Sequence, residues 1–284
     1  MPNPASDPAS HPPDGALGIR DERYFWGAEY VRRMHDELGH DVCRKLAIFE
    51  LPEGFVLSVV VPVFNESGTV SSVVDRLRAT GLPMQIILID DGSKDGTFQA
   101  MSSLAGAKDV TLIQHTKNLG KGAAIRSGFA KATGDIVVIQ DADREYDPSD
   151  FRYLLQPLIA GEADVAYGTR YGHYDRQLSP WWHQTVNGFI TMLASIAIGI
   201  RLSDVETCYK MVPREHLSRI LPALRENRFG IEIELTARLA RQGLRFTERP
   251  IRYQHRWYDE GKKIGWLDGV RALWCIAKYG LFRR

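Results

Sequence analysis

Short apolar runs rich in β-branched residues recur in the first half of the chain: Leu57-Ser58-Val59-Val60-Val61-Pro62-Val63-Phe64, Ile86-Ile87-Leu88-Ile89 and Ile136-Val137-Val138-Ile139. Runs of this length that do not alternate with polar residues predict strands covered on both faces, the habit of a parallel sheet. The pattern from 57 to 170 predicts strands near 57–64, 84–90, 110–115, 135–140 and 164–169 with helices between them. That alternation reads as an α/β fold: a Rossmann-like, doubly wound, mostly parallel sheet with helices on both faces.

Other segments follow a helical period. Tyr24, Ala28, Val31, Leu38, Val42, Leu46 and Phe49 recur at helical spacing, with Arg32, Arg33, Asp36, Glu37, Arg44 and Lys45 on the other face, so 21–52 reads as an amphipathic helical extension broken near Gly39. Both charge signs occupy its polar face, which favours an arm covering protein surface over membrane docking or dimerisation, though it remains the candidate carrier of a homo-oligomer contact. Residues 186–200 are almost wholly apolar. As a helix they would extend about 22 Å, short of the roughly 30 Å hydrocarbon core, so an interfacial or a buried helix is expected and a spanning one is not. A helix opening at Arg228-Phe229-Gly230-Ile231-Glu232-Ile233-Glu234 runs to about Arg241, its acids Glu232 and Glu234 suited mainly to the helix dipole, with support of the acceptor pocket by one of them as the lesser alternative.

Composition fits a folded enzyme: 284 residues, 44% hydrophobic and 25% charged, enough for one sizeable core. A net charge of +1 gives no pull toward nucleic acid. Residues 249–284, however, hold nine Arg/Lys against three acids, a local excess suited to phosphates or an anionic membrane face. Cys43, Cys208 and Cys275 show no disulfide or metal spacing, which points to a reducing, cytoplasmic compartment. Residues 1–20 are Pro-, Ser- and Asp-rich with no apolar segment and read as a disordered tail rather than a secretory signal.

Candidate chemistry gathers where the strands end. Asp141-Ala142-Asp143 follows one apolar run, Asp90-Asp91-Gly92-Ser93-Lys94-Asp95-Gly96-Thr97 another, and Asn65-Glu66 a third. Ligands of open parallel sheets bind outside the carboxyl ends of strands, so these acids converge on one crevice. Carboxylates on alternate residues suit Mg²⁺ or Mn²⁺, ions that hold a diphosphate while keeping some water. An isolated Asp-x-Asp is more often a surface turn, and the companion segments are what change the reading. Asn118-Leu119-Gly120-Lys121-Gly122 places small residues and a cation at a helix start, where backbone can approach a phosphate or sugar. Two rival nucleotide sites fail: Ile125 stands where a dinucleotide fingerprint needs its third glycine, and no Gly-x-x-x-x-Gly-Lys-Ser/Thr occurs. A sugar-phosphate nucleotidyltransferase would carry a Gly-rich basic loop after the first strand, where this chain has Val63-Phe64-Asn65-Glu66, and a non-catalytic scaffold would be expected to have lost a metal carboxylate.

In sequence and order, Val61-Pro62-Val63-Phe64-Asn65-Glu66, the 90–97 stretch, Asn118 to Gly122 and Asp141-Ala142-Asp143 resemble family-two inverting glycosyltransferases of the GT-A fold, over roughly residues 57–265. Within that family the chain is most similar to the dolichyl-phosphate mannose synthase and polyprenyl-phosphate glycosyltransferase branch. The resemblance implies transfer of a hexose from a UDP- or GDP-sugar to polyprenyl phosphate with inversion, or to a saccharide or other hydroxyl, at the cytoplasmic membrane face with peripheral membrane contact. It makes 53–284 the catalytic domain, with a nucleotide-sugar half (57–170), an acceptor half (171–264) and a C-terminal helix (265–284). It assigns the nucleotide sugar to Pro62, Phe64, Glu66, Asp90, Asp91, Gly120, Lys121, Gly122, Asp141 and Ala142, and Mg²⁺ or Mn²⁺ to Asp141, Asp143 and Glu145. Arg170, and Arg256 and Lys262 in a loop after Tyr253, would meet phosphates, a task suited to guanidinium and ammonium groups. Asp204 would orient the acceptor or act as base, in Asp204-Val205-Glu206-Thr207-Cys208-Tyr209-Lys210, which resembles the family's Asp-x-x-Thr-Gly-Tyr/Phe-Arg/Lys. Three features depart from the pattern: Cys208 replaces the glycine, His183 stands where an Arg often precedes Asn187, and the 21–52 extension is additional.

Overall fold

The computed structural model describes residues 27–171, 181–255 and 266–281, with the backbone alone at 181–183 and 266–268. The expected tail, the start of the extension, and Arg256 and Lys262 lie outside the described residues, as do the side chains of Trp181, Trp182 and His183. The chain divides into two units, 1–51 and 52–284. In the first, α1 (Ala28–Leu38) and α2 (His40–Lys45) meet at Gly39, whose φ of 79° ends the first helix at the position where the sequence pattern breaks. Val31, Cys43 and Ile48 form its small core with Tyr30 and Met34 against them.

The second unit runs β1 (Leu57–Val63), α3 (Val70–Ala79), β2 (Met84–Asp90), α4 (Thr97–Leu104), β3 (Val110–Gln114), α5 (Lys121–Phe129), β4 (Ile136–Ile139), α6 (Phe151–Ile159), β5 (Val165–Thr169), α7 (Trp181–Ile198), β6 (Lys210–Pro213), α8 (Arg214–Ile220), α9 (Ile231–Ala240), β7 (Phe246–Pro250) and α10 (Trp266–Cys275), which continues into a π-helical stretch, Ile276–Leu281. Among the described residues the strands form one seven-stranded sheet ordered β3-β2-β1-β4-β6-β5-β7. Every neighbouring pair is parallel except those of β6, which runs antiparallel to β4 and to β5. The mostly parallel α/β expectation is therefore borne out, with β6 and β7 added to the five expected strands.

The continuous apolar runs are explained by burial: all seven residues of β1 and all four of β4 are buried, with α5 packed on β1 and β2. Because β6 reverses between β4 and β5, those two strands point the same way. The carboxyl ends of β1, β2, β4 and β5 thus share one edge of the sheet, and all the strand-end acids face it.

Helix α7 starts five residues before the apolar run. Ile190 and Ala194 pack with Val205, Ile233, Ala237, Ala272, Cys275, Ile276 and Tyr279, which joins α7, α9 and α10 into a second core. Its opposite side leaves Val186, Phe189, Met192 and Ile196 exposed. The helix is thus buried along one face and apolar toward solvent along the other.

Candidate active site

At the tips of β1 and β2 two loops are tied together through backbone amides. Asn65, in the left-handed region at φ 51°, accepts from Lys94 N on Oδ1 (2.9 Å), while its own N–H donates to Ser93 Oγ (2.9 Å). Glu66 N–H donates to Thr97 Oγ1 (2.8 Å), and Thr69 Oγ1 donates to Glu66 Oε2 (2.7 Å). Asp90 is fully buried and accepts from Ser93 N (3.0 Å). Asp91, also buried, accepts from Leu119 N (2.9 Å) and Gly120 N (2.7 Å), one on each oxygen, and its Oδ1 lies 2.7 Å from His115 Nδ1. Both aspartates therefore build the crevice wall and fix the 118–120 turn. Pro62 lies inside β1, in register with Ile89, so Phe64 and Glu66 are the members of this group placed at the strand tip.

The glycines flanking Lys121 serve a different neighbour from the one the sequence suggests. Gly120 has φ 98°, and a β-carbon on it would run into the Asn227 carbonyl; one on Gly122 would stand 2.9 Å from Arg228 O and closer still to Glu226 O. Segment 226–228 lies across the start of α5, where Ala123 N–H donates to Asn227 O (3.2 Å) and the Arg126 guanidinium donates to Glu226 O and to Asn227 Oδ1 (2.7 Å). The close approach read from the sequence is real, but it is made to the chain's own backbone, and the first turn of α5 is capped by protein. Lys121 alone reaches the crevice, its Nζ 2.9 Å from both Asp141 Oδ1 and Glu232 Oε1.

At the β4 tip Ala142 is buried while Asp141, Asp143 and Glu145 sit half-buried in one turn. Glu145 N–H donates to Asp143 Oδ1 (3.1 Å), and Tyr253 OH donates to Glu145 Oε2 (2.7 Å). Gln254 N–H donates to Glu145 O (2.8 Å), which brings Tyr253 and Gln254 beside these carboxylates. Burial, with Asp141 and Glu145 close by, pushes the Asp143 carboxyl up to about 8. As the side chains stand, no three His, Cys, Asp or Glu among the described residues form a ready metal cluster. The donor set still fits an ion delivered with a diphosphate. Mg²⁺ and Mn²⁺ need only one or two carboxylates when phosphate oxygens and water complete the shell, and crowded carboxylates that resist ionising are short of positive charge.

Beyond β5, Arg170 grips Asp204 in bidentate fashion (Nε to Oδ2 and Nη2 to Oδ1, 2.7 Å each), and its own backbone N–H donates to Oδ2 (3.1 Å). Asp204 is fully buried. Both of its oxygens are engaged by Arg170, so in this arrangement Asp204 positions Arg170. The Arg170 guanidinium lies over the Tyr253 ring (5.3 Å). With the Asn187 amide oriented by its hydrogen-bonding partners, its oxygen accepts from Arg170 Nη2 (2.8 Å) and its nitrogen donates to Glu206. Burial, outweighing the pull of Arg170, pushes Glu206 up to about 7. Lys210 is buried beneath this turn, donating to Val205 O (2.8 Å) and Thr207 O (2.6 Å), and desolvation lowers it to about 8. Glu206 and Lys210 were legible only as letters of a motif, and Glu232 mainly as a helix-dipole acid, with the acceptor pocket as its lesser reading.

Set beside known proteins, the chain matches the family described as glycosyl transferase family 2 over residues 58–221. It is 29% identical to the polyprenol monophosphomannose synthase of Mycolicibacterium smegmatis, covering 78% of this chain and 86% of that protein. It is 27% identical to the undecaprenyl-phosphate mannosyltransferase of Micrococcus luteus, covering 79% and 94%. Among solved structures it shares its fold with glucosyl-3-phosphoglycerate synthase from Mycobacterium tuberculosis in complex with Mn²⁺, UDP and phosphoglyceric acid, at TM-score 0.59 and 24% identity over 80% of each chain.

Proposed function

The chain belongs to glycosyl transferase family 2, and from that premise we propose that it transfers a hexose from a GDP- or UDP-sugar to polyprenyl phosphate, with inversion at the anomeric carbon. Two relatives whose names specify polyprenol-phosphate mannosyl transfer support the acceptor class. The observation that carries the reading is the burial of Asp204 inside the Arg170 fork. A hydroxyl acceptor must give up a proton to a base in reach, whereas a lipid phosphate arrives as an anion and needs an arginine beside it. Arg170 would be that arginine, and Arg256 and Lys262, outside the described residues, are the further candidates for the phosphates.

Glu66 and Phe64 would border the nucleoside, with Asp90 and Asp91 fixing their loops from behind. Asp141, Asp143 and Glu145 would hold Mg²⁺ or Mn²⁺, which when bound supplies positive charge where negative charge collects on the departing diphosphate. Lys121, tethered to Asp141, adds a fixed cation on the same side. Among the described residues no helix is long and apolar enough to cross a membrane. The exposed apolar side of α7 supports peripheral contact at the cytoplasmic face, which would bring the lipid to the enzyme.

One observation favours a hydroxyl acceptor instead: Glu206, whose carboxyl titrates near neutrality, where a general base works best. The test separates the two. Purified protein is incubated with Mg²⁺ or Mn²⁺ and each common UDP- or GDP-hexose, with and without a short polyprenyl phosphate, reading nucleotide release and lipid-linked sugar. Lipid-linked product that disappears in Asp143→Ala supports the proposal. Metal-dependent nucleotide release without lipid product, restored by a saccharide acceptor, would favour the Glu206 route.

A further inference from the structure

Two groups with different tasks in the proposed reaction share one neighbour. Tyr253 OH donates to Glu145 Oε2 (2.7 Å), and the Arg170 guanidinium stands over the same ring, 5.3 Å from its centre. Glu145 belongs to the carboxylates proposed for the metal, and Arg170 to the side proposed for the acceptor phosphate.

The backbone around Tyr253 is fastened to both of the strand ends it lies between. Ile251 N–H donates to Thr169 O (3.0 Å), one residue before Arg170, and Gln254 N–H donates to Glu145 O (2.8 Å). Between them Arg252 N–H donates to Asp150 Oδ2 (2.6 Å), and its Nε donates to Oδ1 (3.0 Å). Tyr253 itself bridges Tyr146 in antiparallel register, and the two rings meet edge to face at 5.1 Å and 64°. Behind them Tyr146 packs on Tyr209 at 4.7 Å, and both of these rings are buried. A main chain pinned on either side and a buried aromatic column behind leave the Tyr253 ring little freedom, so Glu145 and Arg170 align on it.

The chemistry divides between ring and hydroxyl. A phenylalanine would fill the same space and offer Arg170 a similar negative π face. What the hydroxyl adds is the bond to Glu145. That carboxylate stands in a crowd of like charge, since it and Asp141 both act on Asp143. Mutual repulsion turns such groups apart, the arrangement least suited to sharing an ion, and a hydrogen bond to one oxygen opposes that by fixing the orientation of the other. Bonds of this outer kind orient a ligating carboxylate, and losing one typically costs about 10–100-fold in metal affinity.

Resting on the glycosyl-transfer reading above, we propose that Tyr253 is a positioning residue for both halves of the reaction: its hydroxyl turns Glu145 toward the metal, and its ring holds the Arg170 guanidinium for the acceptor phosphate. One side chain then sets the spacing between the departing diphosphate and the incoming phosphate.

Two substitutions in the full chain separate ring from hydroxyl. Mn²⁺ binding is read from the loss of its free EPR signal, with UDP and with GDP in turn, and acceptor KM is read with a short polyprenyl phosphate. Tyr253→Phe is expected to weaken Mn²⁺ binding by about tenfold, to regain most of its turnover in excess Mn²⁺, and to leave acceptor KM within about twofold of wild type. Tyr253→Leu is expected to lose Mn²⁺ affinity to the same extent and also to raise acceptor KM by about threefold or more, the scale of one cation–π contact. If Tyr253→Leu does not melt cooperatively, Tyr253→Met, which refills the space without a π face, takes its place. Mn²⁺ affinity in Tyr253→Phe within about twofold of wild type overturns the proposal, being well short of the loss expected for an orienting bond. So does an acceptor KM in Tyr253→Leu no higher than in Tyr253→Phe. A tyrosine that served the fold alone would lower Tm in both variants without dividing metal affinity from acceptor KM, and that result overturns the proposal as well. Wild-type protein that binds no Mn²⁺ with either diphosphate, or makes no lipid-linked sugar, overturns the parent reading and this one with it; failure of this inference alone shows in the variants beside a normal wild type.

Discussion

Asp204→Asn removes one charge of the buried Arg170–Asp204 pair while keeping its shape. The carboxylate accepts three hydrogen bonds from Arg170, two from the guanidinium and one from the backbone N–H. An asparagine nitrogen turned toward either guanidinium nitrogen sets donor against donor. Removing one partner of a buried pair costs about 3–5 kcal/mol. The lower end applies, because Arg170 keeps the Asn187 amide oxygen at 2.8 Å and the Tyr253 ring at 5.3 Å. About 3 kcal/mol in a unit of this size corresponds to a fall of roughly 6–12 °C in Tm. Thermal melts of Asp204→Asn, Arg170→Met and the double variant form a cycle. Positioning predicts that the double variant melts close to the worse single one, and that transfer falls with a rise in acceptor KM. An Asp204→Asn protein that melts within a degree of wild type, yet has lost all transfer together with the acid limb of its pH profile, would refute this and restore Asp204 as the base.

Glu206→Gln should stabilise the fold by up to about 3 kcal/mol above pH 7 and have little effect below pH 4.5. The folded carboxyl is raised to about 7, so the native state binds the extra proton between these values and loses stability as pH rises through them; melts at pH 4.5 and 8 check the sign. Gly122→Ala should cost several kcal/mol, because its β-carbon meets the backbone of 226–228, and denaturant unfolding should show a lower midpoint at constant slope. Glu226→Ala deletes acceptors for Tyr279 OH and the Arg271 guanidinium, each at 2.8 Å, and should raise amide exchange over 266–281 with a loss of about 2–3 kcal/mol. Chelation with EDTA should abolish transfer, and Mn²⁺ or Mg²⁺ should restore it; full activity in EDTA would overturn the assignment of Asp141, Asp143 and Glu145.

The strands β1, β2 and β4 were legible because both their faces are covered, which forces unbroken apolar letters. Strands β6 and β7 were not. Lys-Met-Val-Pro is four residues long and opens on a lysine that is buried against carbonyls of the turn just before it, and Phe-Thr-Glu-Arg-Pro is half-buried at the sheet edge with no strand pattern. Gly120 and Gly122 announced that backbone comes close without naming whose, since the 226–228 segment lies a hundred residues away. Asp204 matched a motif position, but its direction is set by Arg170, 34 residues earlier, and spacing carries no direction. The carboxylates after β4 were placed correctly at the strand tip because a strand end and an acid suffice to fix the edge they face.

The reversed strand between β4 and β5 sets a dimension. Two strand spacings separate the tips that carry Asp141 and Arg170, about 10 Å, and the span is floored by the incoming end of β6, with Cys208 Sγ reaching Ile139 O and Tyr209 OH reaching Gln140 Oε1 (2.7 Å). A sheet of uniform direction would have put another strand-to-helix turn there. Here the floor belongs to the connection that enters β6 from α7, and the same connection carries Asp204, which holds Arg170 at the β5 tip. An engineer seeking a different sugar or acceptor would therefore vary the outer residues Ile200 and Arg201 and leave the largely buried stretch from Asp204 to Tyr209, which braces both tips, alone.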